Sequence, residues 1–300
     1  MPIAESRMPG EPVLVSLSRG AGPGEEARAR RLAREEGWEF MPPPDRGTMV
    51  ESMKGRPVVV VEKTRLSLRV AGSSYAFHPG FAPVRIKRLL AGDTDHMLEA
   101  MGLVGVAAER EGPGVLDCTL GFGADAIVAA FAVGENGRVV GLESSPVLAV
   151  LTRHGLADWA AAETKVTAGP TAKEQAGGLA KSAFVEALGR IEVVNADHLS
   201  FLRVQPPSSF DVVYFDPMFR EPVKGAAGLA LVRIFGRSTA IEAEVVAEAR
   251  RVARRRIVMK ERRGSPEFAR LGCDEVVGGA SSSVAFGVWN VSRVSREGLP

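Results

Sequence analysis

Asp216-Pro217-Met218-Phe219 join a carboxylate, a stiff turn and an aromatic ring at the end of an apolar run, Phe210-Asp211-Val212-Val213-Tyr214-Phe215. A carboxylate accepts a hydrogen bond from an amino group. Proline fixes the local backbone, and an aromatic ring lies flat against a planar base. Together they suit the holding of an exocyclic base amine beside a methyl donor. Three further groups end apolar runs in the same way. Asp117 closes Val115-Leu116-Asp117, ahead of Gly121 and Gly123. A carboxylate there can meet a cationic amino-acid moiety, and the glycines permit a tight turn with a ligand close to the backbone. Glu143 ends the next run, where an acid can accept both ribose hydroxyls of an adenosine-containing cofactor. Asn195-Ala196-Asp197-His198 end a third, where polar side chains can read an adenine amine.

The elements that must position these groups alternate along the chain. Strands are expected at Gly114–Cys118, Arg138–Glu143, Ile191–Asn195, Asp211–Asp216, Arg256–Lys260, Asp274–Val277 and Val284–Val291. Helices are expected at Ala124–Val133, Pro146–Ala162, Lys173–Leu188, Gly225–Phe235 and Ala240–Ala253. Such alternation predicts an α/β fold with a doubly wound, mostly parallel seven-stranded sheet. The last two strands have no helix between them and predict a terminal hairpin. In such sheets ligands bind at the carboxyl edge of the strands, where the acids above end. Upstream, a strand at Pro12–Ser18, a charged helix at Glu25–Glu36 and a hairpin of Val58–Glu62 with Leu66–Val70 form a small N-terminal α/β domain. Gly72-Ser73-Ser74 reads as the linker. The expected division is residues 1–75 and 76–300.

Gly121-x-Gly123-x-x-Ala126 also fits a dinucleotide fingerprint, so a nicotinamide oxidoreductase competes with an S-adenosylmethionine enzyme. Asp117 favours the latter, because nicotinamide cofactors carry no ammonium. Asp125 does too: a carboxylate at a helix N-terminus would repel a pyrophosphate. Simpler roles exist for each acid. Asp125 could cap its helix, worth ~1 kcal/mol, Asp197 could cap the next turn, and Glu143 could pair with an arginine.

Composition narrows the class. A chain of 300 residues, 45% hydrophobic, can bury a large core. It has no apolar run long enough to span a bilayer and no signal-peptide core at Met1–Arg7, so a cytoplasmic protein is expected. Cys118 and Cys273 lie in apolar segments and read as reduced core residues. No Cys/His spacing suggests zinc or another metal. Net charge is only +2, but basic residues cluster. Lys260, Arg262 and Arg263 follow a strand at the active edge, as does Arg220, and are candidate phosphate contacts. Arg250, Arg251, Arg254, Arg255 and Arg256 precede that strand and read as a solvated face. Arg85, Lys87 and Arg88 enter the second domain and could face RNA.

From about Phe77 to Lys260 the chain resembles the RsmJ-like family of S-adenosylmethionine-dependent methyltransferases, which methylate the guanine N2 amine of small-subunit ribosomal RNA. The resemblance lies in Val115–Ala126, Leu142-Glu143-Ser144-Ser145-Pro146-Val147, Asn195-Ala196-Asp197-His198-Leu199, Phe210–Phe219 and Ile257-Val258-Met259-Lys260. Met218 stands where most amino-methylating enzymes carry a second proline. The resemblance implies a class I, Rossmann-like methyltransferase fold. It implies cofactor contacts at Ala124, Asp125, Glu143, Ser144, Asp197, His198 and Asp216. Asp216, Pro217 and Phe219 would hold the amine, with Met218 and Arg220 beside the substrate. The implied partner is ribosomal RNA or the small ribosomal subunit. The chain departs from the family at Ala124, often arginine there, and at Asp197-His198, often serines. DNA, protein or a small molecule are alternative substrates, and a non-catalytic RNA-binding module is a further alternative.

Overall fold

The computed structural model describes residues 13–44, 56–70, 72–105, 112–163, 172–217 and 240–291. The expected helix at Gly225–Phe235 lies outside them, as do Met218, Phe219 and Arg220. Two sheets organise the chain. The first has the order β2-β1-β3-β4-β5, from β1 (Leu14–Leu17), β2 (Glu39–Phe40), β3 (Val58–Val61), β4 (Leu66–Val70) and β5 (Ser73–Ala76). Helix α1 (Pro23–Glu36) packs on it through Ala29, Leu32 and Ala33. The expected linker Gly72-Ser73-Ser74 is corrected here: Ser73 and Ser74 pair with Val70 and Arg69 as an edge strand. Its two exposed serines, followed by the half-buried Tyr75 and Ala76, carry no apolar alternation to reveal it.

The second sheet has seven strands in the order β11-β12-β10-β9-β6-β7-β8. They are β6 (Gly114–Asp117), β7 (Arg138–Glu143), β8 (Ile191–Asn195), β9 (Phe210–Phe215), β10 (Ala253–Arg262), β11 (Glu275–Val277) and β12 (Val284–Asn290). The pairs from β8 to β10 are parallel, and β12 runs antiparallel between β10 and β11, the expected terminal hairpin. Parallel strands covered on both faces read as near-continuous apolar runs, and β9 is buried throughout. Alternate residues serve two cores. Val115, Val212, Tyr214 and Val258 face α2 (Ala82–Leu90), α3 (His96–Met101), α4 (Ala124–Val133) and α6 (Ala172–Gly189). Leu116, Val213, Phe215, Ile257 and Met259 face α7 (His198–Val204), α8 (Ala243–Val252) and α9 (Glu267–Arg270).

Helix α5 (Pro146–Glu163) belongs to both sheets. Ala149 and Leu156 pack into the core under the seven-stranded sheet, while Val147, Leu148, Val150 and Leu151 pack on the five-stranded one. Arg28 of α1 adds a bidentate bond to Asp158 at 3.0 and 2.9 Å.

The arginine run is less solvated than expected. Arg251 donates to the carbonyls of Gln205 and Leu202 at 2.6 and 2.7 Å, closing the end of α7. Arg254 pairs with Asp211 at 3.0 Å, and Arg256 donates to the carbonyls of Glu99 and Ala100 in α3. Carbonyls at helix ends lack internal partners, so these arginines staple the amino edge of the sheet, opposite the acids.

Phe77 leads the chain from one sheet to the other, and Gly155 of α5 makes room for it. A Cβ at Gly155 would overlap the Cβ and Cγ of Phe77. Glycine to alanine inside a helix ordinarily stabilises by about 1 kcal/mol. Gly155→Ala is expected to do the reverse, costing about 1–3 kcal/mol through overpacking, measured by urea unfolding. A gain in stability would show that Phe77 is not seated against α5.

Candidate active site

Strand β6 ends at Asp117, and the chain turns through Thr119–Gly123 into α4. Gly121 and Gly123 hold φ of +53° and +72°, a region that side chains disfavour, and Gly123 is the N-cap of α4. The turn is tied to its neighbours. Leu120 donates to the Leu142 carbonyl at 2.9 Å, and the Thr152 hydroxyl donates to the Gly121 carbonyl at 2.7 Å. Glu143 accepts from the backbone N–H of Gly121 at 3.2 Å and of Ser145 at 2.8 Å. Burial pushes the Glu143 carboxyl upward, against those bonds.

These residues border a cleft of about 300 Å³ at the carboxyl edge of the sheet. Of the cofactor residues expected from sequence, Gly121, Glu143, Ser144, Asp197, His198 and Asp216 line it, with Pro217 beside them. Asp197 also caps α7, its carboxylate accepting from the Ser200 N–H at 3.0 Å. His198 sits edge-on to Phe215. Asp117, Gly123, Ala124 and Asp125 are not among the residues that line it. Thr119, Leu142, Ala196, Ile241 and Val245 line the cleft without having been singled out in the sequence. Thr119 is the informative addition. Its hydroxyl accepts from the Asp216 N–H at 2.6 Å, while its own N–H donates to Asp117 at 2.9 Å. A hydroxyl within the glycine turn was the available signal.

Beneath the cleft lies a chain of ion pairs. The register pairs Met259 with Phe215, so Lys260 stands beside Asp216. The Lys260 ammonium donates to Asp216 at 2.7 Å and to Asp125 at 2.9 Å. Asp125 also accepts from the Tyr214 hydroxyl at 2.7 Å and from Arg85 at 2.5 Å. Arg85 forks onto Asp95 at 2.8 and 2.9 Å. Three expectations are corrected. Lys260 is an internal counter-ion in β10, not a phosphate contact. Asp125 neither caps its helix nor faces the cleft; its oxygens are taken by Lys260, Arg85 and Tyr214. Arg85 points inward. Arg262 ends β10 exposed, and Arg263 donates to the Ser282 carbonyl at 2.9 Å.

Burial would raise all three aspartates, but the cations divide them. Lys260 and Arg85 hold Asp125 well below the usual carboxylate range. Asp216 is pushed up to about 6 by burial and by Asp125, against Lys260. Asp117 is pushed up to about 8, chiefly by burial. Burial pulls Lys260 down, yet the two carboxylates outweigh it and raise its pKa.

The cleft itself carries Glu143, Asp197, Asp216 and Glu242, and among the described residues no lysine or arginine. Such a wall suits a ligand bearing positive charge and would repel a pyrophosphate. Its size and mixed apolar and polar lining suit an adenosine-sized cofactor. S-adenosylmethionine, a sulfonium with an ammonium, fits; Glu143 and Asp197 would be its principal polar partners, and Leu142, Ile241 and Val245 its apolar ones. Among the described residues no His/Cys/Asp/Glu group could hold a metal, and no helix is long and apolar enough to cross a membrane.

Comparisons with known proteins place the chain in a family. A family model described as "Putative SAM-dependent methyltransferase" matches residues 52–277. YpiP of Bacillus subtilis (strain 168), an uncharacterised protein, is 39% identical over 72% of the chain and 76% of its own length. Ribosomal RNA small subunit methyltransferase J of Hydrogenovibrio crunogenus is 30% identical over 63% of the chain, which spans 64% of that enzyme. Its counterpart in Haemophilus influenzae (strain KW20 / Rd) is 26% identical over 75% and 79%. The crystal structure of a SAM-dependent methyltransferase from Neisseria gonorrhoeae superposes with a TM-score of 0.57 at 20% identity, covering 93% of this chain and 96% of that one.

Two consequences follow from the ion pairs. Lys260→Met leaves two acids without their shared cation and is expected to cost about 3 kcal/mol or more at neutral pH, read by urea unfolding. A loss below about 1 kcal/mol would mean the network is not formed. The Asp117 carboxyl, raised above its unfolded value of about 3.9, contributes stability present below about pH 4 that is lost as pH rises through about 8. Asp117→Asn is therefore expected to flatten the fall in Tm across that window; an unchanged slope would place the titration elsewhere.

Proposed function

The chain belongs to the SAM-dependent methyltransferase family, and on that premise we propose that it methylates an exocyclic base amine of RNA, guanine N2 in small-subunit ribosomal RNA. Its fold is that of a class I methyltransferase, and its cofactor is S-adenosyl-L-methionine. The observation that carries the substrate reading is the position of Asp216 and Pro217 in the cleft at the end of β9, with Lys260 behind the carboxylate. Relatives named ribosomal RNA small subunit methyltransferase J support it.

The cofactor supplies an activated methyl group, so the protein's work is positioning. A guanine amine is a weak nucleophile because its lone pair is delocalised into the ring. Lys260 engages one oxygen of Asp216 and Thr119 fixes its backbone N–H. The other carboxylate oxygen is left to accept an amine N–H, and the Pro217 carbonyl accepts the second. Both bonds strengthen as positive charge develops on nitrogen during displacement. Glu143 would take the ribose hydroxyls, Ser144 and His198 would flank the adenosine, and Asp197 would read the adenine. Asp117 acts through Thr119 rather than by direct contact. Phe219 would stack on the base, with Met218 and Arg220 beside it. Arg262 and Arg263 remain candidates for phosphate contact at the same edge. A target within a helix must be flipped out to reach the cleft. We assign residues 1–75 as a separate unit, whose described sheet packs on α5.

Tritium transfer from labelled S-adenosylmethionine to unmodified small-subunit ribosomal RNA or subunits tests this. Asp216→Ala is expected to lower the rate at least about 100-fold while calorimetry still detects the cofactor. Full activity in that variant would remove Asp216 from the reaction. Because ionised Asp216 is required, the rate is expected to rise with pH through about 6 and level off above it. A profile flat from pH 5 to 8, values bracketing that pKa by roughly a unit or more, would contradict the role.

A further inference from the structure

Helix α2 buries Ala82 and Ile86 against α4 and α6 and turns its other side outward. That outward side carries Phe81, 79% exposed, and Val84, 55% exposed. Phe81, Val84 and Arg88 recur at three and four residues and so share a face, with Lys87 alongside. Phe81 is the most exposed large hydrophobic among the described residues.

The face is linked to the site through α4 and the ion pairs. Gly80 packs against Ala124, the first residue of α4. Arg85, one turn beyond Phe81 but turned inward, is linked through Asp125 and Lys260 to Asp216. Arg85 turns inward onto Asp95 and Asp125, so the charged groups of the outward side are Lys87 and Arg88, with Asp93 beside Arg88. Arg88 makes an exposed pair with Asp93 at 2.7 Å; such pairs are weak in water and yield readily to phosphate.

Taking the RNA substrate above as given, we infer that the outward face of α2 docks the strand flanking the target base. Phe81 stacks on a neighbouring base, and Lys87 and Arg88 meet phosphates. An exposed ring beside two cations is the pattern by which proteins hold single-stranded nucleic acid, and a fixed distance from Asp216 would set which nucleotide reaches the cleft.

The experiment measures affinity of the full chain for a fluorescein-labelled mixed-sequence single-stranded RNA by anisotropy across a salt series. Phe81→Ala is expected to weaken binding about tenfold with an unchanged salt dependence. Lys87→Ala is expected to reduce the slope of log K against log salt by about 0.7. Calorimetry with S-adenosylmethionine is expected to be unchanged in both, since neither residue lines the cleft. Wild-type affinity and slope in both variants would overturn the docking face while leaving the methyltransferase reading intact. So would variants that alter only sedimentation, since the face would then join two copies of the chain. Failure of the wild-type protein to bind RNA at all would overturn the substrate reading itself.

Discussion

One ammonium shared between two carboxylates organises this site. Lys260 reaches Asp216 and Asp125 together, and it does so because β9 and β10 pair in register up to Phe215 and Met259. Asp125 has two further partners, Arg85 and Tyr214, and stays ionised. Asp216 shares Lys260 with Asp125, is pushed up by that neighbouring carboxylate and opens to the cleft, so it is the acid placed to respond to what binds there. Buried ion pairs seldom add net stability, because desolvation costs about as much as the pairing returns. Their value here is placement: α2 contributes Arg85, the start of α3 Asp95, α4 Asp125, β9 and its end Tyr214 and Asp216, and β10 Lys260, and a shift of any of these elements leaves a polar group unpaired.

The alternation of the sheet explains why charge is sorted by depth. Val115, Tyr214 and Val258 face the core beneath α4, and Asp117, Asp216 and Lys260 follow each of them two residues later on the same face. Apolar packing therefore gives way to charge within one step along three adjacent strands. The cations stay behind the wall, while Glu143, Asp197 and Asp216 reach the cleft. The result is a negative surface over a neutralised base, which admits a sulfonium and would disfavour phosphate.

Much of this was legible in the residues. The seven-stranded sheet followed from apolar runs separated by helical stretches, and the acids at its carboxyl edge followed from where those runs stop. What was not legible depends on contacts distant in sequence. Lys260 and Asp125 lie 135 residues apart, so a lysine ending a strand read as a phosphate contact rather than as a counter-ion. β10 continues to Arg262, which draws Lys260 inside. Arg251, Arg254 and Arg256 read as a solvated face because their acceptors are backbone carbonyls, to which sequence is blind, and, for Arg254, the Asp211 carboxylate 43 residues away. β5 escaped notice because an edge strand needs no apolar alternation.

Asp216, held by Lys260, is proposed to present a base amine of ribosomal RNA for methylation. Nucleoside mass spectrometry of unmodified small-subunit ribosomal RNA, after incubation with the protein and S-adenosylmethionine, tests it most directly. The expected result is a single new N2-methylguanosine. A methyl group on a ring nitrogen, carbon or ribose, or no new methylated nucleoside despite cofactor binding, would contradict it.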